Sequence, residues 1–162
     1  INVDFNKAEK SNIISTQFKL DRCLIPCDGF YFWKNFSKKE KTPYYFQYTK
    51  EKLIYCVGIR ETFQDFSGNS FKYFYFLTDK STEKWKKFTP KIPILFDIRY
   101  LDIWFSKTTS INKISSFINP IKFDDFNFYT VSPYFENNNR DDISLINPSN
   151  NLNQYGNYSL FD

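Results

Sequence analysis

YYFQYTKEKLIYCVGI, residues 44–59, is the stretch on which the fold class turns. Residues 44–48 and 53–59 are runs of aromatic and β-branched side chains, the composition of strands that pack on a pleated surface. The polar TKEK between them, residues 49–52, predicts a hairpin turn. Working outward, a third strand is expected at residues 72–78 and a fourth at 127–131. Helical patterning is short by comparison. Residues 81–88 open with a capping-like Ser-Thr-Glu, 98–105 space their apolar residues before Ser106, and 111–118 add a third candidate. This pattern predicts an α+β fold: a β-rich single domain around a curved or barrel-like, mostly antiparallel sheet with short helices.

At 162 residues there is room for one good core and not for two ordinary domains. No apolar run approaches membrane-spanning length and no leader-like pattern opens the chain, so a soluble, cytoplasmic protein without a membrane partner is expected. The lack of methionine predicts that Ile1 is not the genetic start. The lack of histidine excludes Ser-His and Cys-His nucleophile systems, HExxH metal sites and histidine proton relays. Cys23, Cys27 and Cys56 have neither a second pair nor a histidine to complete a zinc set, so they read as buried thiols, and no metal or other cofactor is expected.

Residues 1–120 carry 20 basic and 12 acidic side chains, whereas 121–162 carry 2 and 6. A basic body of this kind attracts polyanions and makes their binding salt-dependent, although a solvated lysine-rich surface has the same composition. The 20 Phe and 12 Tyr, with abundant Lys, Asn and Ile, are the residues that AT-rich codons specify. They serve strand cores at least as readily as base stacking.

Several motifs follow one another in a recognisable order. RCLIPCDGFYFWK (22–34), KTPYYFQY (41–48), CVGIRE (56–61), FKYFYFLT (71–78), TPKIPILF (89–96), Trp104 with Phe105, and YTVSPYFENNNRDDISLINP (129–148) resemble the motifs of the SOS response-associated peptidase family. Proteins of that family crosslink to abasic sites in single-stranded DNA. The resemblance covers roughly residues 1–148, a domain lacking the family's N-terminal segment, and leaves 149–162 as an Asn-rich tail. It implies a family chemistry in which an N-terminal cysteine traps the abasic-site aldehyde as a Schiff base and closes a thiazolidine ring. A glutamate and a histidine assist the proton transfers, a contribution of about 10²–10⁴ in rate.

Both helpers are replaced here. Phe32 stands at the glutamate position of the first motif and Thr89 at the histidine position of the fifth, so no catalytic residue is assigned. Phe32 is read as filling the former catalytic pocket with apolar surface. FNKAE (5–9) resembles the remnant of an Asn-Ala-Arg-x-Glu motif anchored on Glu9; Lys7 takes the arginine position, and Phe5 or Asn6 the asparagine position according to alignment. Asn6 and Glu9 are assigned motif-supporting roles. Lys7, Lys34 and Lys91 are the candidate phosphate contacts, with Trp33 as the wall of a DNA groove, although a Trp in so apolar a run is more often core. The leading expectation is a degenerate family member that binds single-stranded or abasic-site DNA without covalent chemistry. One alternative is an active crosslinking enzyme whose cysteine lies ahead of Ile1. Another is a non-catalytic scaffold that recruits a protein partner through the former pocket or the acidic tail.

Overall fold

Side-chain alternation divides the strands between two sheets and assigns each strand face a core. The computed structural model describes residues 2–4, 21–37, 41–50, 53–137 and 139–149. Its strands are β1 (Asn2–Asp4), β2 (Arg22–Cys27), β3 (Gly29–Asn35), β4 (Lys41–Tyr48), β5 (Ile54–Gln64), β6 (Ser70–Lys80), β7 (Lys91–Phe96), β8 (Ile118–Pro120) and β9 (Phe126–Thr130). Two short helices follow β7: α1 (Leu101–Phe105) and α2 (Ile111–Ser115). A six-stranded sheet runs β1-β6-β5-β7-β8 with β2 also on β5, and a three-stranded sheet runs β3-β4-β9. Among the described residues every strand pairing is antiparallel except β1 with β6.

The faces decide the layering. On β5, Ile54 and Cys56 point into one core, and Val57 and Ile59 into the other. The first core lies between the sheets and is mostly aromatic: Phe46, Trp85 and Phe126 with Phe30, Phe32, Tyr44, Phe88 and Phe123 around them. The second lies between the six-stranded sheet and the helices, where Trp104 and Ile114 meet Val57, Leu77 and Phe96. The result is an α+β arrangement of stacked layers with no closed barrel among the described residues. On β7 the alternation breaks: Ile92 and Leu95 enter the aromatic core, Ile94 and Phe96 the helical one. The break falls where β7 leaves its pairing with β6 at Pro93 and meets β5 at Leu95, and a proline within a strand favours such an interruption.

The hairpin expected at 49–52 does not form. β4 pairs with β3 and β9 while β5 pairs with β2, β6 and β7, so the chain changes sheets between them. Both runs are apolar on their inner faces, and those faces bury more surface by meeting across the core than by lying side by side. The crossing is anchored where the Thr49 N–H and hydroxyl donate to the Asp125 carbonyl at 3.0 and 2.9 Å. The hairpin that does form joins β5 to β6 through a turn held by Asp65, whose carboxylate accepts from the N–H groups of Ser67 and Asn69. Gly68 in that turn has φ +82°, the left-handed region that glycine enters freely.

The expected helices shrink to single turns. Within 81–88 only Trp85–Lys87 is helical, as a 3-10 turn that places the Trp85 ring wholly inside the aromatic core while the lysines stay outside. Residues 98–105 divide into a 3-10 turn and α1, and 111–118 into α2 followed by β8. None of these helices is long and apolar enough to cross a membrane.

Candidate nucleic-acid interface

β3 carries the most informative motif and leaves Gly29 under Tyr45 and Phe46. A Cβ on Gly29 falls 2.3 Å from the Phe46 carbonyl oxygen, so the close β3–β4 approach requires glycine. From there the side chains alternate. Phe30 and Phe32 face the aromatic core, whereas Tyr31 and Trp33 face the C-terminal segment, where Phe135 stacks on Tyr31 at 4.3 Å. Phe32 is half-buried, with ring centroids 5.5 Å from Phe46, 5.7 Å from Trp85 and 6.0 Å from Phe30. Position 32, where the motif resemblance leads one to expect a glutamate, therefore belongs to an aromatic cluster that can neither donate nor accept a proton.

Thr89 reaches the same neighbourhood from another direction. Its N–H donates to the Trp85 carbonyl at 3.0 Å, beneath the ring that Phe32 packs against. Its hydroxyl donates to the Lys91 carbonyl at 2.8 Å and accepts the Lys91 N–H at 3.3 Å. Both bonds brace the turn into β7. Thr89 thus acts as a local lock, and Trp85 links the two positions expected from the motifs.

Beside this turn opens a cleft of about 610 Å³, lined among others by Asn35, Lys80, Ser81, Lys86, Lys87 and Thr89. Lys80 and Lys91 are direct cross-strand partners on β6 and β7, so their side chains leave the sheet on the same side. Like charges placed opposite one another repel. Among the described residues neither lysine is ion-paired, nor is Lys87, and Glu83 pairs with Lys86. Ser81 is buried, and its hydroxyl has no hydrogen-bond partner. A repelling lysine pair is stabilised by an anion placed between its charges.

The residues singled out from the sequence separate in space. The Lys34 ammonium lies 4.7 Å from the Phe36 ring and 5.8 Å from Phe88, which is part of the cleft wall. Trp33 lies on the other face of β3, its indole N–H donating to Glu136 at 2.7 Å and the Lys41 ammonium 3.9 Å from its ring. Lys7, Asn6 and Glu9 lie outside the described residues. Lys80, Lys86 and Lys87 were not distinguished by sequence reading, because each is one lysine among many and only strand register sets Lys80 against Lys91. Of the cysteines, Cys56 is wholly buried as expected, but Cys23 and Cys27 are half-exposed. Among the described residues no group of three or more Cys, Asp or Glu side chains is placed to hold a metal.

Comparison with known proteins agrees with this architecture. The model of the family described as SOS response associated peptidase (SRAP) matches residues 1–138. The chain is 25% identical over 132 residues to the abasic site processing protein YoaM of Bacillus subtilis, covering 81% of this chain and 58% of that protein. It is 28% identical over 132 residues to the abasic site processing protein YoqW of Bacillus phage SPbeta, covering 80% and 54%. The chain therefore spans little more than half the length of these relatives. A crystal structure of a Bacteroides thetaiotaomicron protein superposes with a TM-score of 0.78 at 17% identity over 92% of this chain and 66% of that one. Another, from Bordetella bronchiseptica, gives 0.65 at 14% identity over 80% and 64%. Matched through most of its length by the family model, the chain belongs to the SOS response associated peptidase family.

Proposed function

We propose that this chain takes part in a DNA-damage response by holding single-stranded or abasic-site DNA non-covalently, with the acid/base positions of its family given over to packing. The observation that carries the reading is the Lys80–Lys91 rung beside the 610 Å³ cleft, two cations facing the same side with no carboxylate partner among the described residues. Phosphate contacts need charge and polar donors rather than proton transfer, so they survive replacement of the family's helpers. Lys34 and Lys87 extend the positive edge, and Asn35 and Thr89 add polar side chains. The names of the Bacillus relatives point to an abasic site as the lesion recognised.

The test is fluorescence anisotropy with a labelled single-stranded oligonucleotide, with and without an abasic site, across a salt series. Affinity is expected to fall with salt at a log–log slope of about −0.7 per phosphate engaged, and the double variant K80Q/K91Q to lose about 1.4 of that slope. Salt-independent binding, or none, removes the proposal. The same mixtures on a denaturing gel are expected to show no covalent band; a band that depends on the abasic site would restore the crosslinking enzyme as the better reading.

A further inference from the structure

We propose that Cys27 and Cys56 form a peroxide-oxidisable dithiol that closes reversibly to a disulfide between β2 and β5. The antiparallel register sets Cys27 opposite Ile54 and Cys56 opposite Ile25, which places both side chains on one face of the sheet at neighbouring rungs. That face is the aromatic core, where Cys56 is wholly buried and Cys27 half-buried. On that face the two thiols are diagonal neighbours across the β2–β5 ladder. Cys27 has only a long contact besides, 3.7 Å to the Ile25 carbonyl. The half-buried residue and the wholly buried one are therefore distinct, the arrangement of an attacking and a resolving cysteine.

Ionisation supports this division. The hydrogen bond from Cys56 holds the Cys27 thiol below its ordinary range, outweighing burial and the nearby Asp28 carboxylate. The same bond, together with burial, pushes the Cys56 thiol up and keeps it protonated. Cys23 supplies the contrast, since it lies opposite Gly58 rather than a thiol and burial raises it.

With a hydroperoxide as oxidant, the Cys27 thiolate attacks one peroxide oxygen and the O–O bond breaks. The leaving oxygen departs as water (or alcohol) after taking a proton, and Cys27 becomes a sulfenic acid. The Cys56 sulfur then attacks the Cys27 sulfur and the S–O bond breaks. The released hydroxide takes the Cys56 proton and leaves as water. Two thiols and one peroxide thus become one disulfide, and a low-molecular-weight thiol reverses the step by exchange. Diagonal cross-strand positions sit about 7–8 Å apart at Cα, slightly beyond the usual disulfide span of about 4.4–6.8 Å. Closure therefore needs a shift on the order of 1 Å. Cys27 can supply it as the last residue of β2, a strand that pairs only with β5 among the described residues.

The experiment treats the reduced, folded chain with hydrogen peroxide, blocks the remaining thiols with iodoacetamide and maps the peptides by mass. The expected product has lost two hydrogens, joins the Cys27 and Cys56 peptides, and carries alkylated Cys23; dithiothreitol returns all the thiols. C56S is expected to stop at a sulfenic acid on Cys27 that dimedone traps, and C27S to leave both remaining thiols alkylatable. Free alkylation of all the cysteines after peroxide, or a bond that includes Cys23, overturns the proposal. The wild-type readout does not depend on either variant folding.

Discussion

Replacing Phe32 with glutamate introduces the residue that the motif resemblance leads one to expect there, and the surroundings of Phe32 set the consequence. The ring makes three aromatic contacts, with Phe46 at 5.5 Å, Trp85 at 5.7 Å and Phe30 at 6.0 Å. Each such pair contributes about 0.5–1.5 kcal/mol. Phe32 is half-buried, so only part of the combined figure is lost, but the introduced carboxylate adds desolvation without a hydrogen-bond partner, about 1–3 kcal/mol. F32E is therefore expected to be less stable by about 3 kcal/mol at pH 7, a fall in Tm of about 6–12 °C for a chain of this size. Burial raises the pKa of the introduced carboxyl above its unfolded value of about 4.3, so the folded state holds the proton more tightly. Its destabilisation is then smallest below about pH 4 and grows as pH rises through the folded pKa. Urea unfolding followed by tryptophan fluorescence at pH 4.5 and 7.5 reads both effects. F32L, which keeps an apolar side chain, is expected to lose no more than about 1.5 kcal/mol and to show no such pH dependence. An F32E protein as stable as wild type at both pH values would mean that position 32 faces solvent and that its pocket is not filled.

Two further perturbations probe the frame around the site. Arg22 donates from Nε to the Trp104 carbonyl at 2.8 Å and from Nη2 to the Ser106 carbonyl at 2.7 Å, joining β2 to the end of α1. R22A is expected to lower stability by about 1.5–3 kcal/mol in urea, and R22K to recover only part because an ammonium lacks the guanidinium fork; an unchanged midpoint for R22A refutes the link. Burial, with the charge and hydrogen bond of Asp28 behind it, pushes the Tyr45 hydroxyl well above its usual range. A pKa raised in the folded state gives stability that is fully present below the unfolded value of about 10 and is lost as pH rises beyond it. Denaturation at pH 8, 10 and 11 should show this alkaline loss, and Y45F should reduce it while Tyr31, Tyr75 and Tyr129, also raised, keep the remainder; an identical slope in Y45F contradicts the assignment.

How much of this was legible in the sequence depended on whether the deciding interaction was local. The strands at 44–48, 53–59, 72–78 and 127–131 were, because aromatic and β-branched runs announce a pleated surface wherever they pair. The turn at 49–52 was misread as a hairpin because partner choice is not a property of the turn. Tyr44, Phe46 and Tyr48 find Trp85, Phe88, Phe126 and Phe128, residues distant in the chain. Helix lengths were overread for a similar reason: the burial of Trp85 and Trp104 set where each turn stops, and short segments have little helical stability of their own.

By itself the sequence determined the class of chain: α+β and β-rich, free of histidine among its 162 residues, and bearing motifs in which the resemblance leads one to expect a glutamate and a histidine where Phe32 and Thr89 stand. Only tertiary structure decided what those two side chains touch, packing Phe32 on Trp85 and bracing a turn with Thr89. Tertiary structure also set Lys80 against Lys91, separated Trp33 from Lys34, and put Cys27 and Cys56 on one face of the β2–β5 ladder. Composition and motif record which chemical groups are present. Their distances from one another follow from strand register and layer order, which are settled by burial of side chains far apart in the chain.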